Sequence, residues 1–248
     1  MRPIQTALAV IETIGRHQPT GVSEIARELE LPKSTIQRTL KSLEQAGWIE
    51  AVAAERGAWS LSLQAGLAVG RADFATRRLR TAAIPVMEDL RRRTSESIYL
   101  AVRHQRKIAL VERLDGLNPA VHAWPLWQAG PMHATSLGKA ILAMMSEAEL
   151  DDYLTQPLRR VTPRTETDPA RLREELAVAR TRGFAVTFQT NWPGENGVGA
   201  GIRDERGGPF AAISISAPVE RVDEARCLEL GELLMDAARR ISLGMARR

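Results

Sequence analysis

Leu31-Pro32-Lys33-Ser34-Thr35-Ile36-Gln37-Arg38-Thr39-Leu40-Lys41-Ser42-Leu43 is the stretch on which the fold of this chain turns. Pro32 suits the first position of a helix, where a missing N–H costs nothing. With Ile36 at the centre of the inner face and about 100° per residue, Leu40 and Leu43 fall beside it. Ser34, Arg38 and Lys41 then lie opposite, flanked by Gln37 and Thr35. Hydroxyls, an amide and cations on one face can bond to phosphates and to base edges in a major groove. An ordinary amphipathic helix with a solvated face has the same pattern, so the neighbouring segments must choose between the two.

Upstream, Ile4, Leu8, Ile11 and Ile14 recur at helical spacing over residues 3–16. Gln18-Pro19-Thr20-Gly21 breaks that helix. Ser23 is placed to cap a second one, Glu24 to Leu29, with Ile25 and Leu29 inward. Three short helices with a tight turn between the second and third give the helix-turn-helix order. Downstream, 48–52 and 58–61 read as strands joined by a turn that carries Arg56, which is a wing. Trp48 and Trp59 are expected to anchor that wing by burying their rings rather than to stack on bases.

Charge supports contact with nucleic acid at this end. The net charge is +4, and residues 1–94 hold 14 Lys and Arg against 10 Asp and Glu, while residues 95–248 hold 20 of each. A basic module joined to a neutral one fits a polyanionic partner at the first. At 248 residues, 44% hydrophobic and 26% charged, the chain is long enough for two ordinary domains. No apolar run approaches the ~20 residues of a membrane span, and residue 1 leads into no signal-peptide pattern, so no membrane partner and a cytoplasmic location are expected. One cysteine, Cys227, rules out an internal disulfide and a Cys-rich zinc site.

Residues 63–70 read as a helix, and Asp73 to Thr94 as a longer one with Leu79, Ala83, Val86 and Leu90 on one side. Pro85 predicts a kink or break near Ile84. The expected organisation is a DNA-binding domain over 1–70, a linker helix over 71–95, and a second domain over 96–248. In the last of these, 98–102, 108–114, 121–127, 185–189, 197–202 and 210–216 read as strands. Helices are expected over 136–145, 147–153, 167–182 and 222–242. Strands meeting through hairpins with intervening helices make an α+β domain with an antiparallel sheet.

Chemistry-bearing patterns are few. His17, His104, His122 and His133 are scattered, with no pair at metal-ligand spacing, so no metal is expected. There is no phosphate-cradling loop, and the glycines from Gly194 to Gly201 lead into a strand rather than a helix. No third group orients a Ser–His pair, so no catalytic residue and no cofactor are expected. A small-molecule pocket is better supported. Gly130 to Ala140 runs from a turn into a helix whose first N–H groups are open, with Lys139 one turn in, and such a start holds a carboxylate or phosphate. Ser214 and Ser216 alternate with Ile213 and Ile215, so both hydroxyls share a face. They line a pocket or meet water according to which face of the sheet that is.

The chain resembles the IclR family of bacterial transcriptional regulators over essentially its full length. The likeness rests on Ser23-Glu24-Ile25-Ala26-Arg27, on the Leu31–Leu40 block, and on Pro131-Met132-His133-Ala134 with Leu137-Gly138-Lys139-Ala140. Arg182-Gly183-Phe184-Ala185 and Pro209 to Pro218 add to it. The resemblance implies a winged helix-turn-helix that dimerises on an operator, a GAF-like effector domain, and commonly a dimer of dimers. Ser34, Gln37 and Arg38 are then the candidate base or groove contacts, Lys33, Thr35 and Lys41 the phosphate contacts, and Arg56 a wing contact.

Family effectors are small organic acids or aromatic compounds. Their contacts cluster at Ser136 and Leu137, at Ser214 and Ser216, at an acidic position here occupied by Thr187, and at a cysteine here replaced by Gly197. The family's Ala-Ala-Pro reads Gly199-Ala200-Gly201. These departures speak against a glyoxylate-type or pyruvate-type ligand. Trp124, Trp127 and Trp192, with Gly130, are expected to approach the same pocket, which points to a larger, flatter effector such as an aromatic acid or its derivative. The alternative for these rings is domain core or interface. Separately, the rival function class is a ligand-sensing or catalytic α+β domain whose basic head is merely an interaction module.

Overall fold

The computed structural model of the protein describes residues 3–246 except 54, 56, 73 and 118–123, and for 69–72 and 74 the backbone alone. The chain divides into two compact units, Met1–Phe74 and Ala75–Arg248.

In the first unit α1 (Pro3–His17), α2 (Val22–Glu28) and α3 (Lys33–Gln45) bring Val10, Ile14, Ile25, Ile36 and Leu40 into one core. The spacing set that outcome, since each helix has one apolar stripe to bury. A three-stranded antiparallel sheet adjoins the helices: β1 (Thr20–Gly21), β2 (Ile49–Ala51) and β3 (Ala58–Leu61), in the order β1-β3-β2. Helix α4 (Leu63–Ala72) follows. Trp48 and Trp59 pack half-buried against the helical core.

Three local expectations change. The segment expected only to break α1 also supplies β1, because Thr20 pairs with Trp59. Helix α2 begins earlier than the Ser23 cap implied. Its N-cap is Gly21, and Glu24 reaches back to accept from the Gly21 N–H at 3.2 Å and the Thr20 hydroxyl at 3.0 Å. Pro32 is the N-cap of α3 rather than its first residue, since its ψ of 138° is extended.

The second unit opens on α5 (Phe74–Thr94). Among the described residues its sheet is antiparallel throughout and has six strands in the order β6-β5-β4-β9-β8-β7. The strands are β4 (Ser97–His104), β5 (Lys107–Leu114), β6 (Ala129–Pro131), β7 (Ala185–Phe188), β8 (Glu195–Arg203) and β9 (Pro209–Pro218). Helices α6 (Ser136–Met144), α7 (Glu147–Leu154) and α8 (Pro169–Arg182) lie between β6 and β7, and α9 (Glu224–Ala246) closes the chain.

Alternation along the strands separates two cores. Ile98, Leu100, Val198, Ala200, Ile213 and Ile215 face α5 and α9. Tyr99, Ala101, Ala185 and Ala212 face α6, α7 and α8.

Pro85 does not divide α5, which runs unbroken from Phe74 to Thr94. Leu79, Ala83, Met87 and Leu90 are each 2% exposed or less in the core against the sheet, and that burial holds the turn that lacks a hydrogen bond. The strand expected over 121–127 is not formed where the structure describes it. Trp124 to Trp127 is irregular and turning, and residues 121–123 lie outside the described residues. Among the described residues, no helix is long and apolar enough to cross a membrane, and no group of three His, Cys, Asp or Glu is placed to hold a metal.

Candidate functional site

The outer face of α3 is the first candidate. Lys33, Ser34, Gln37, Arg38 and Lys41 are exposed and Thr35 is half-buried, because Ile36, Leu40 and Leu43 take the inner face. The Ser42 hydroxyl turns back to the Arg38 carbonyl at 3.0 Å and that of Thr39 to the Thr35 carbonyl at 3.0 Å, which removes both from the outward set. Among the described residues no carboxylate pairs with Lys33, Arg38 or Lys41, so these cations present undiminished charge to a phosphate backbone. Arg56, expected at the wing tip, lies outside the described residues.

The second candidate is a cavity between the α6 face of the sheet and the start of α6, with about 460 Å³ of empty space counted out into the solvent at its mouth. Strand register explains its polar floor. Ser214 stands opposite Tyr99 on one side and Gly199 on the other, and Ser216 stands opposite Gly197. Residues directly opposite share a face, so Ser214, Ser216, Tyr99 and Gly197 point the same way. Thr187 on β7 pairs with Gly197 and joins them.

Helix α6 supplies the wall. Thr135 caps it, accepting from the Gly138 N–H at 3.0 Å, and the Lys139 N–H bonds to the Thr135 carbonyl at 2.8 Å. The N–H groups of Ser136 and Leu137, which line the cavity, have no acceptor within the helix. Close approach of α6 to the sheet requires small residues on β8. A Cβ at Gly199 would lie 2.6 Å from the Ser136 carbonyl oxygen. The Gly199-Ala200-Gly201 departure therefore lets the helix lie against the strand.

Asn191 and Trp192 border the cavity from the loop between β7 and β8. That loop is pinned: the Thr190 hydroxyl donates to the Ala134 carbonyl at 2.7 Å, and those of Thr162 and Thr165 donate to the Gln189 and Thr190 carbonyls at 2.8 and 2.7 Å. Beneath the entry to α6, His133 is buried. Its backbone N–H donates to the Tyr153 hydroxyl oxygen at 3.2 Å, the same oxygen lies 3.0 Å from Nδ1, and Nε2 lies 2.9 Å from the Arg159 carbonyl. A neutral imidazole carrying its proton on Nε2 satisfies all three bonds. Burial pushes the His133 pKa down, and the charges of Lys139 and Arg159 act in the same direction.

The cavity brings together Trp124, Ser136, Leu137, Thr187, Trp192, Gly197, Ser214 and Ser216 from the sequence reading. It leaves out two others. Trp127 is 59% exposed at a turn with φ of 65°, which aims it away. Gly130 does not line the cavity but seats Trp124, whose ring lies 2.3 Å from where a Cβ would stand. Lys139 is also corrected as an anion holder: its ammonium is buried in an ion pair with Glu175 on α8. Sequence reading missed Tyr99, Thr135, Asn191 and Glu195 as lining residues. Tyr99 was legible, since it alternates with Ile98 and Leu100. Glu195 was not, because no pattern marks a lone acid at a strand's first residue as buried.

Two family models match this chain: the IclR helix-turn-helix domain over residues 3–53, and the bacterial transcriptional regulator IclR C-terminal domain over residues 73–243. The chain is 31% identical over 226 residues to the transcriptional repressor IclR of Escherichia coli K12, covering 90% of this chain and 82% of that one. It is 34% identical over 227 residues to the transcriptional repressor AllR of the same strain, covering 91% and 83%. Among solved structures, an IclR homolog from Microbacterium hydrocarbonoxydans complexed with 4-hydroxybenzoate superposes with a TM-score of 0.85. It is 29% identical and is matched over 98% of both chains.

Proposed function

The chain belongs to the IclR family of bacterial transcriptional regulators, and on that premise we propose how it works: α3 reads an operator, and the cavity against α6 takes an aromatic acid that decides whether the operator is held. It is a ligand-responsive, DNA-binding transcriptional regulator and not an enzyme. Ser34, Gln37 and Arg38 are assigned to base edges or the groove, and Lys33, Thr35 and Lys41 to phosphates. The protein binds double-stranded DNA as a dimer or a dimer of dimers and works in the cytoplasm, where a bacterial operator lies. By likeness to the two named repressors, repression is its assigned effect.

The observation that carries the effector assignment is the cavity's composition. Trp124, Trp192 and Tyr99 offer flat aromatic walls, and the hydroxyls of Thr187, Ser214 and Ser216 line the same space. A carboxylate belongs at the start of α6, where the N–H groups of Ser136 and Leu137 and the positive end of the helix meet it. The relative complexed with 4-hydroxybenzoate supports an aromatic acid here. Control then follows from unequal affinity of the ligand for two arrangements of the DNA-bound oligomer. Gel shift on the DNA upstream of this chain's own gene, with a benzoate series added and tryptophan fluorescence followed in parallel, tests both halves. A shift that the series abolishes is expected; no shift on that DNA, or a response to glyoxylate alone, overturns the reading.

A further inference from the structure

Glu195 is the only carboxylate among the described residues lining the cavity. Its side chain is nearly fully buried, at 7% exposure, and the Ser216 hydroxyl donates to its Oε2 at 3.2 Å. Its charge also reaches Tyr99, whose hydroxyl pKa is raised first by burial and then by Glu195. Glu195 and Gly197 share a face of β8, and Gly197 stands against Ser136 at the start of α6. Two residues along a strand span about 6.6 Å.

The cavity is therefore two-ended. At Ser136 it presents N–H and hydroxyl groups to an anion. At Glu195 it presents a negative charge, which repels an anion and accepts from a donor. The separation along β8 is close to that between substituents placed para on a benzene ring. We propose that Glu195 is the specificity-determining residue of this cavity, selecting an aromatic acid that carries a hydrogen-bond donor, hydroxyl or amino, para to its carboxylate. This rests on the aromatic-acid reading above. A carboxylate accepts at about four lone-pair positions, so a ligand donor adds to the bonds that Glu195 makes within the protein. A second carboxylate at that end has to be buried beside Glu195, which excludes para-dicarboxylates.

The test is a titration of the full-length protein with benzoate, 4-hydroxybenzoate, 4-aminobenzoate, 4-methoxybenzoate and terephthalate, by tryptophan fluorescence and calorimetry. A buried charge-assisted bond separates donor-bearing from donor-lacking ligands by about tenfold or more. The 4-hydroxy and 4-amino acids are expected to bind tighter than benzoate and 4-methoxybenzoate by that factor, with terephthalate weakest. In Glu195→Gln, terephthalate is expected to approach the 4-hydroxy acid to within about threefold. Equal wild-type affinities for the donor and methoxy ligands overturn the assignment, as does an unchanged ranking in a folded Glu195→Gln protein. The wild-type ranking needs no variant, so it stands even if Glu195→Gln misfolds. Binding without ranking sinks only the role of Glu195; no binding by any of the five sinks the aromatic-acid reading and this inference with it.

Discussion

Gly197 on β8 faces the start of α6 so closely that a Cβ on it would lie 2.8 Å from the Ser136 hydroxyl oxygen and 2.9 Å from that of Thr187. The absent side chain is part of the cavity's volume. Gly197→Val is therefore expected to abolish the fluorescence response to aromatic acids. Effector-free DNA binding should stay within about twofold, because α3 belongs to the other compact unit. Retained ligand affinity in this variant would remove Gly197 from the site.

Gly199→Ala tests the seating of α6. The added methyl meets the backbone of Ser136 rather than a flexible side chain. Helix and strand must separate, at a cost of about 1–3 kcal/mol. A fall in the melting temperature of the second unit is expected in calorimetry, and an unchanged transition would contradict the close contact.

Arg38→Ala and Lys41→Ala should behave differently on DNA. Loss of a base or groove contact at Arg38 narrows the gap between operator and random duplex, by about 1–3 kcal/mol. Loss of a phosphate contact at Lys41 weakens binding to both and reduces the salt slope by about one unit. Filter binding across a salt series distinguishes them, and equal loss on both duplexes for Arg38→Ala rejects its assignment.

His133 links stability to pH. Its pKa in the folded protein is lowered by burial, so the unfolded chain binds the proton more readily. The stabilisation from keeping it neutral is complete above about 6.5, the unfolded value, and is lost as the pH falls below that. Urea midpoints should drop between pH 7 and 5, and His133→Asn, weaker at pH 7, should show a smaller further drop. Parallel curves for the two proteins would mean that His133 does not carry the effect.

Cys227 is buried on α9, and burial, with Asp223 nearby, pushes its thiol pKa up to about 11. The thiolate is the reactive form. In native protein at pH 8, Cys227 should not react with a disulfide reagent over the time in which urea-unfolded protein reacts fully. Rapid native labelling would show that this helix opens.

The helices of the first unit were legible because each buries one stripe, and a period of 3.6 residues writes that stripe into the sequence at Ile25, Ile36 and Leu40. The paired face of Ser214 and Ser216 was legible for the same reason at period 2. Trp127 and Trp124 looked alike in the sequence, yet one is exposed and the other is 9% exposed on Gly130. The turn at Trp127 made that difference, and such turns leave no periodic trace. Lys139 looked like an anion holder until α8 supplied Glu175, 36 residues away.

By itself the sequence determined that this chain has a basic helix-turn-helix head, an antiparallel α+β second part and a polar outer face on α3. Those properties follow from local periodicity, composition and charge. Only the tertiary structure decided which face of the sheet α6 covers, and so that Ser214 and Ser216 line a cavity instead of meeting water. It also decided that Glu195 lies inside that cavity and Lys139 outside it. Burial of a charged side chain depends on strands and helices distant in the chain, and alternation along one strand cannot say what packs against it.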